Sequence, residues 1–337
     1  MTAVKRIKGM LLGLVLPIVV YAFFSVLSPS IFLNSAPGTV YTILVQSITT
    51  AILAWGMYFS MTVGALDFSI AAEMIMYEVM ATIFYTFGGF WPMVILTAVS
   101  AMIIGTAKAI VKELIGVKTM VVGLALTYIL ASVAEVLSVG RSTTIGKEAA
   151  FLSGMPYNFI ILTISGLVMW FLISKSKFGA HIKAVGSNVS LAKAAGIKDH
   201  VVGFQASLVG SVFAGIAAIF TLSRGVGVTP QTGLGSISTV FSSLMCVFIA
   251  MFIAKYANMA IGIFVGAVSI SIISMGLVSI GFDSELNSTV TSGFLLILMS
   301  YTVITESHQA NKIRREVAAA RIKKDEQTAE EDLGERK

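Results

Sequence analysis

Apolar residues run along this chain in long blocks, and polar residues gather in the gaps between them. A helix needs about 20 predominantly apolar residues to cross the hydrocarbon core of a bilayer. Blocks of that length predict ten transmembrane helices, at about 10–28, 42–65, 69–88, 92–111, 118–139, 157–174, 201–222, 236–254, 257–280 and 288–306. The second and third blocks meet around Gly64–Ser69 with almost no loop between them. The longest internal polar stretch is Lys175–Lys198, KSKFGAHIKAVGSNVSLAKAAGIK, which joins the sixth and seventh spans.

Composition supports the same class. Of 337 residues, 56% are hydrophobic and 12% charged, whereas soluble domains average about 25% charged. The expected fold is all-α and polytopic: a transmembrane domain over 1–306, with 175–200 as its main loop, and a charged tail over 307–337. The first block exceeds a secretory h-region, and the SVLSPS that follows offers no small-x-small cleavage site, so it is expected to remain a span. The tail reads as a fraying helix with an acidic end.

Net charge is +6, and the surplus lies between the spans. It therefore reads as topology and not as nucleic-acid binding. With the N-terminus in the cytoplasm, Lys5, Arg6, Lys8, Lys108, Lys112, Lys118, Lys255, the five lysines of the long loop and the basic tail all fall inside. Arg141, Lys147 and Arg224 fall outside. Both termini and Lys175–Lys198 are thus expected on the cytoplasmic side of a cell membrane.

Within that loop, Ser187 or Asn188 can cap a helix over Val189–Ala195, and Gly196 can stop it in a left-handed conformation. Ala192 and Ala195 then share a small-residue face, suited to close approach by another surface. A solvated connector is the plainer alternative.

Acids within the spans mark candidate function, because an intramembrane charge normally faces a polar interior. Asp67 can cap the third helix with Ser69 or line a broken-helix site. Glu73, Glu78 and Glu135 read as unpaired, and Tyr77 with neighbouring methionines suits a cavity wall. Asp67, Ser69, Glu73, Tyr77 and Glu135 form the candidate pathway set. Glu73 and Glu78 are five apart and do not share a face. The histidines show no metal-ligand spacing, and the single cysteine, Cys246, reads as a small packing residue. No G-x-x-x-x-G-K-[ST] occurs, and no serine–histidine–acid order stands out, so neither an ATP site nor catalytic equipment is visible. Gly262-x-x-x-Gly266 can bring two helices close.

SKFGAHIKAVGSNVSLAKAAGI resembles the cytoplasmic loop of permease subunits of ribose- and galactose-type sugar ABC importers. The matching residues are Phe178, Gly179, His181, Ala184, Gly186, Asn188, Ala192, Ala195, Gly196 and Ile197. VGALDFSIAAE (63–73) resembles that family's Gly-x-Asp-Leu-Ser segment, with Phe68 in place of Leu, and TGLGSIS (232–238) its Gly-x-Gly before a late span. The acidic residues and glycine run that follow in the family are missing, which marks a divergent branch. The resemblance implies a coupling helix in this loop, docked on a cytoplasmic ABC ATPase through Phe178, Gly179, His181, Gly186, Asn188, Ala192, Ala195 and Gly196. It implies two related halves, a second permease copy or paralogue, an extracytoplasmic solute-binding protein, ATP used by the partner alone, and a bacterial inner or plasma membrane. A sugar is the first expected solute and a nucleoside the second. The rival class is an ion-coupled secondary transporter using Asp67, Glu73 or Glu135; a membrane enzyme ranks below both.

Overall fold

Every described element is helical, and the order follows the apolar blocks closely. In the computed structural model, residues 3–300 are described, apart from 116–118, 228, 231–232, 255–257, 284–285, 287–288, 295 and 298–299; side chains are described from 14 onward, those of 147 and 148 excepted. The elements are α1 (Ala3–Leu27), α2 (Ala36–Thr62), α3 (Ile70–Gly88), α4 (Phe90–Ile115), α5 (Thr119–Ser138), α6 (Tyr157–Ser174), α7 (Lys177–Ser187), α8 (Val189–Ala194), α9 (Asp199–Ser223), α10 (Ile237–Ile253) and α11 (Met259–Ser279). One π-helical turn, Ser30–Asn34, precedes α2, and a 3₁₀ segment, Lys147–Ser153, precedes α6.

Seven of these helices are long and apolar enough to cross a membrane: α2, α3, α4, α5, α6, α9 and α11. Leu14–Leu27 of α1 and the whole of α10 are shorter apolar helices. Together they match the first nine expected spans. The tenth, 288–306, lies largely outside the described residues, as do Lys118, Lys255, His308 and the tail 307–337. The chain divides into a compact unit over Met1–Ser292 and a second over Gly293–Lys337.

Within the first unit, α9 packs against α2, α3 and α4, while α11 packs against α2, α10 and α1. The face of α9 that carries Ala206, Gly210, Phe213, Ala214, Ala217 and Phe220 is buried. Helices α4, α5 and α6 instead expose apolar side chains such as Ile103, Val121, Ile129, Ile164 and Phe171, as lipid-facing helices do. Small residues permit the closest crossings. A methyl group on Gly266 of α11 would meet the backbone of Cys246 on α10, and one on Gly262 would meet Ala250. The Gly262-x-x-x-Gly266 pair thus forms the α10–α11 contact, and Cys246 is a buried packing residue, its thiol 3.1 Å from the Ser242 carbonyl.

Replacing Gly266 with Leu would force α10 and α11 apart. We expect a loss of about 1–3 kcal/mol from overpacking, read as a lower melting temperature of the detergent-solubilised chain; an unchanged transition would remove this contact from the stabilising set.

Candidate functional site

The turn between α2 and α3 is buried, although it is irregular and carries a charge. Helix α2 ends at Thr62, Gly64 turns the chain at φ +80°, and Asp67, Phe68 and Ser69 bring it into α3. Asp67 and Ser69 are fully buried. Asp67 Oδ1 accepts hydrogen bonds from the Ser69 N–H at 3.1 Å and the Ser69 hydroxyl at 2.6 Å; Ser69 is the N-cap of α3, and no side chain caps the helix, so the expected Asp67 cap does not form. The backbone of the turn is held from α5: Thr127 Oγ1 donates to the Phe68 carbonyl at 3.1 Å, and Gly123 leaves room for the Phe68 amide.

Asp67 Oδ2 takes two ammonium groups from α4, Lys108 at 2.9 Å and Lys112 at 2.7 Å. Lys108 and Lys112 are one helical turn apart and share a face, which is why both reach it. Lys108 also pairs with Glu73 Oε1. The Ser211 hydroxyl of α9 donates to Glu73 Oε2 at 2.6 Å, and the Tyr77 hydroxyl lies 3.5 Å from the same oxygen. Two cations thus balance two carboxylates. Burying charge is tolerable only when it is paired and hydrogen-bonded, and this network meets that condition.

Another sequence expectation changes: Glu73 is not unpaired, for it pairs with Lys108, which is itself only 3% exposed. The lysines carried a signal, a pair spaced i, i+4 at the end of an apolar block, but the 41-residue separation from Asp67 hid the partner. Asp67, Ser69, Glu73 and Tyr77 are gathered in one network, sealed from solvent. Glu135 is not among them: it lies one turn from the end of α5, and its Oε2 has no hydrogen-bond partner. Glu78 is buried with neither carboxylate oxygen partnered, since five positions beyond Glu73 it lies off the lysine face.

Lys175–Lys198 folds into two short helices. Helix α8 matches the expected one: the Asn188 side chain accepts from the Leu191 amide at 3.0 Å, and Gly196 stops it at φ +79°. Helix α7 was not foreseen, although Ser176 caps it by accepting from the Gly179 amide at 3.0 Å, and Gly179, Ile182 and Val185 repeat every third residue on its buried face.

The resemblance-derived residues separate into two groups. Phe178, Gly179 and Gly186 clamp the loop to the bundle. Phe178 stacks on Phe59 of α2 at 5.8 Å between ring centroids, and Phe59 stacks on Phe213 of α9 at 6.0 Å. Gly179 sits on the last carbonyls of α6, and Gly186 on the Thr62 carbonyl at the end of α2, where a side chain would collide. His181, Asn188, Ala195 and Gly196 are exposed.

Ala192 and Ala195 do not share a free face. Ala192 is 3% exposed and points into the chain's own packing, because α8 lies back on α7 and α9. Val189, Ser190, Leu191, Lys193 and Ala194 of α8 are exposed, as is its C-cap Ala195, with Leu191 69% exposed. Beneath the helix pair, a cavity of about 270 Å³ is lined by Gly64, Lys112, Val185, Val189, His200 and Ser207, so α7, α8 and the buried turn meet at one end of the bundle. Among the described residues no cluster of three or more metal-ligating side chains occurs.

Residues 39–300 match the family model described as branched-chain amino acid transport system / permease component. The chain is 26% identical over 228 residues to the D-allose transport system permease protein of Escherichia coli, covering 64% of this chain and 68% of that protein. It is 24% identical over 271 residues to the galactofuranose transporter permease protein of the same organism, covering 78% and 79%. It is 22% identical over 260 residues to the fructose import permease protein of Bifidobacterium longum, covering 74% and 72%. No solved structure matches significantly.

Lys108→Met should strip Asp67 and Glu73 of their shared cation. Removing one partner of a buried pair costs about 3–5 kcal/mol, so a large fall in thermal stability in detergent is expected. The double variant Lys108→Met/Glu73→Gln should recover part of it. Equal stability of Lys108→Met and the unaltered chain would show that the network contributes nothing.

Proposed function

We infer that the chain, which belongs to the branched-chain amino acid transport system / permease component family, is the permease subunit of a sugar importer driven by a separate ABC ATPase. The family match over residues 39–300 carries this reading. The names of the relatives, which are permeases for allose, galactofuranose and fructose, support a sugar as the solute.

In this reading the chain is a transport subunit that leaves ATP hydrolysis to its partner. An extracytoplasmic binding protein delivers the solute, and a second permease subunit completes the pore within the bacterial inner or plasma membrane. Both termini and α7–α8 face the cytoplasm. The ATPase docks on Leu191, Ala194 and Ala195 of α8. Its closure is passed through α7 to the ends of α2 and α6 by the Gly186 and Gly179 contacts, and to α9 by the Phe178–Phe59–Phe213 stack. An ion-coupled mechanism finds less support. Two of its candidate acids, Asp67 and Glu73, already hold Lys108, which a coupling cation would have to displace.

Ala195→Arg places bulk and charge on the docking face without touching the bundle. We expect normal membrane insertion with loss of ATPase co-purification, or hydrolysis uncoupled from uptake; normal assembly and transport would remove α8 as the docking element. A cysteine introduced at Ser190 should react with impermeant reagents only when the cytoplasmic side is exposed. Labelling from outside intact cells would invert the topology.

A further inference from the structure

A second cavity, of about 180 Å³, is lined by α2, α10 and α11 and has a different chemistry. Its polar lining includes Gln46 and Thr50 of α2, Thr239 and Ser242 of α10, and Ser271 and Ser274 of α11. The spacing is helical. Gln46 and Thr50 are i, i+4, and Ser271 and Ser274 are i, i+3, so each pair faces one way. The first turns of α10 close the third wall, and Ile270 adds an apolar surface.

These side chains hold unused hydrogen-bonding capacity. A serine or threonine within a helix commonly returns its hydroxyl to a carbonyl one turn back, as Ser100, Thr163, Ser243 and Ser269 do. At the cavity, the side chains of Gln46, Thr50, Thr239, Ser271 and Ser274 make no such bond among the described residues. Five polar groups from three helices, each without a partner among the described residues, converge on one space between α2, α10 and α11.

We propose that this cavity is the solute-recognition site within the membrane, and that its ligand is an uncharged polyol of monosaccharide size. The proposal rests on the reading of the chain as a sugar importer and adds the residues that select the sugar. Every polar side chain in the lining is a neutral hydroxyl or amide. A hydroxyl both donates and accepts, and the glutamine amide does the same through its two ends. Ring hydroxyls of a sugar match that set, while its C–H face can lie on Ile270. An amino acid zwitterion brings an ammonium and a carboxylate, and the lining offers neither a counter-charge; burying an unpaired charge is far more costly than burying a hydrogen-bonded hydroxyl. The site is also connected to the contact with α7. Thr50 and Thr62 lie on the same helix, twelve positions apart, or about 18 Å at 1.5 Å per residue. Movement of the α2 end under Gly186 therefore reaches the cavity along one rigid element.

The test uses the full chain in membranes, with Cys246→Ala removing the native thiol and Ser274→Cys reporting on the cavity. Reaction with a water-soluble methanethiosulfonate is timed in the presence of D-allose, D-galactose, D-fructose or D-xylose at high millimolar concentration, and of L-leucine as the zwitterion. At least one sugar should slow the reaction about fivefold, the effect of a single-site ligand at about four times its Kd, and leucine should not. With protection scored against each variant's own unprotected rate, adding Gln46→Leu should weaken the protecting sugar about tenfold, as loss of its amide hydrogen bonds implies. Protection that is unaffected by Gln46→Leu overturns the assigned lining. Absence of protection by all four sugars overturns the cavity as the recognition site. In that event, chain-dependent uptake of one of those sugars by cells leaves the sugar-importer reading intact, and uptake of leucine alone removes it as well.

Discussion

Four charged side chains, three buried (Asp67, Glu73 and Lys108) and one half-buried (Lys112), meet where α2 turns into α3, and the packing of that end of the bundle depends on their pairing. No one of them could stay there alone, because an isolated charge in an apolar interior would not be tolerated. Together they are neutral, and Ser69 and Ser211 fill the remaining acceptor positions. The network fixes α4 against the turn through two lysines one turn apart. It fixes α9 against α3 through Ser211. An irregular, charged segment between two spans can thereby be buried within the protein, as non-helical backbone at membrane depth must be.

The same turn begins at the residue on which α7 rests. Gly186 lies on the Thr62 carbonyl, and Asp67 follows five residues later. The α7–α8 pair is consequently fastened to the ends of α2 and α6 and, through stacked rings, to α9. Its outward surface on α8 includes Leu191, Ala194 and the C-cap Ala195. Ala192, 3% exposed on the opposite face, lets α8 lie on its own chain. Helix α2 then runs from this contact to the hydroxyl-lined cavity. One continuous helix thus carries the site where force would enter and the site where a solute would sit.

The sequence alone determined the class of the protein and most of its helices. Transfer of apolar surface out of water acts on each block by itself, so span positions are a local property of the chain. Helix α6 occupies the predicted 157–174, and the ends of α3, α5, α10 and α11 lie within two residues of expectation. The caps of α8, Asn188 and Gly196, were equally local. Helix α7 was also written locally, in Ser176 and the threefold spacing of Gly179, Ile182 and Val185, but its many polar residues hid it among loop residues.

What only the tertiary structure decided was pairing and facing. Glu73 looked like an unpaired acid and the partners of Lys108 and Lys112 could not be read, because each lacks a local partner; folding brings residues 41 positions apart to 2.9 Å. Ala192 and Ala195 looked equivalent on a helical wheel, and which of them is free was settled by the surface on which α8 lies. The hydroxyls of Thr50, Thr239 and Ser274 resembled ordinary membrane-helix residues until three helices placed them around one space. Periodicity records which residues share a face of one helix; which neighbour that face meets is set by packing between segments distant in the chain, and charge compensation, docking and recognition all depend on that.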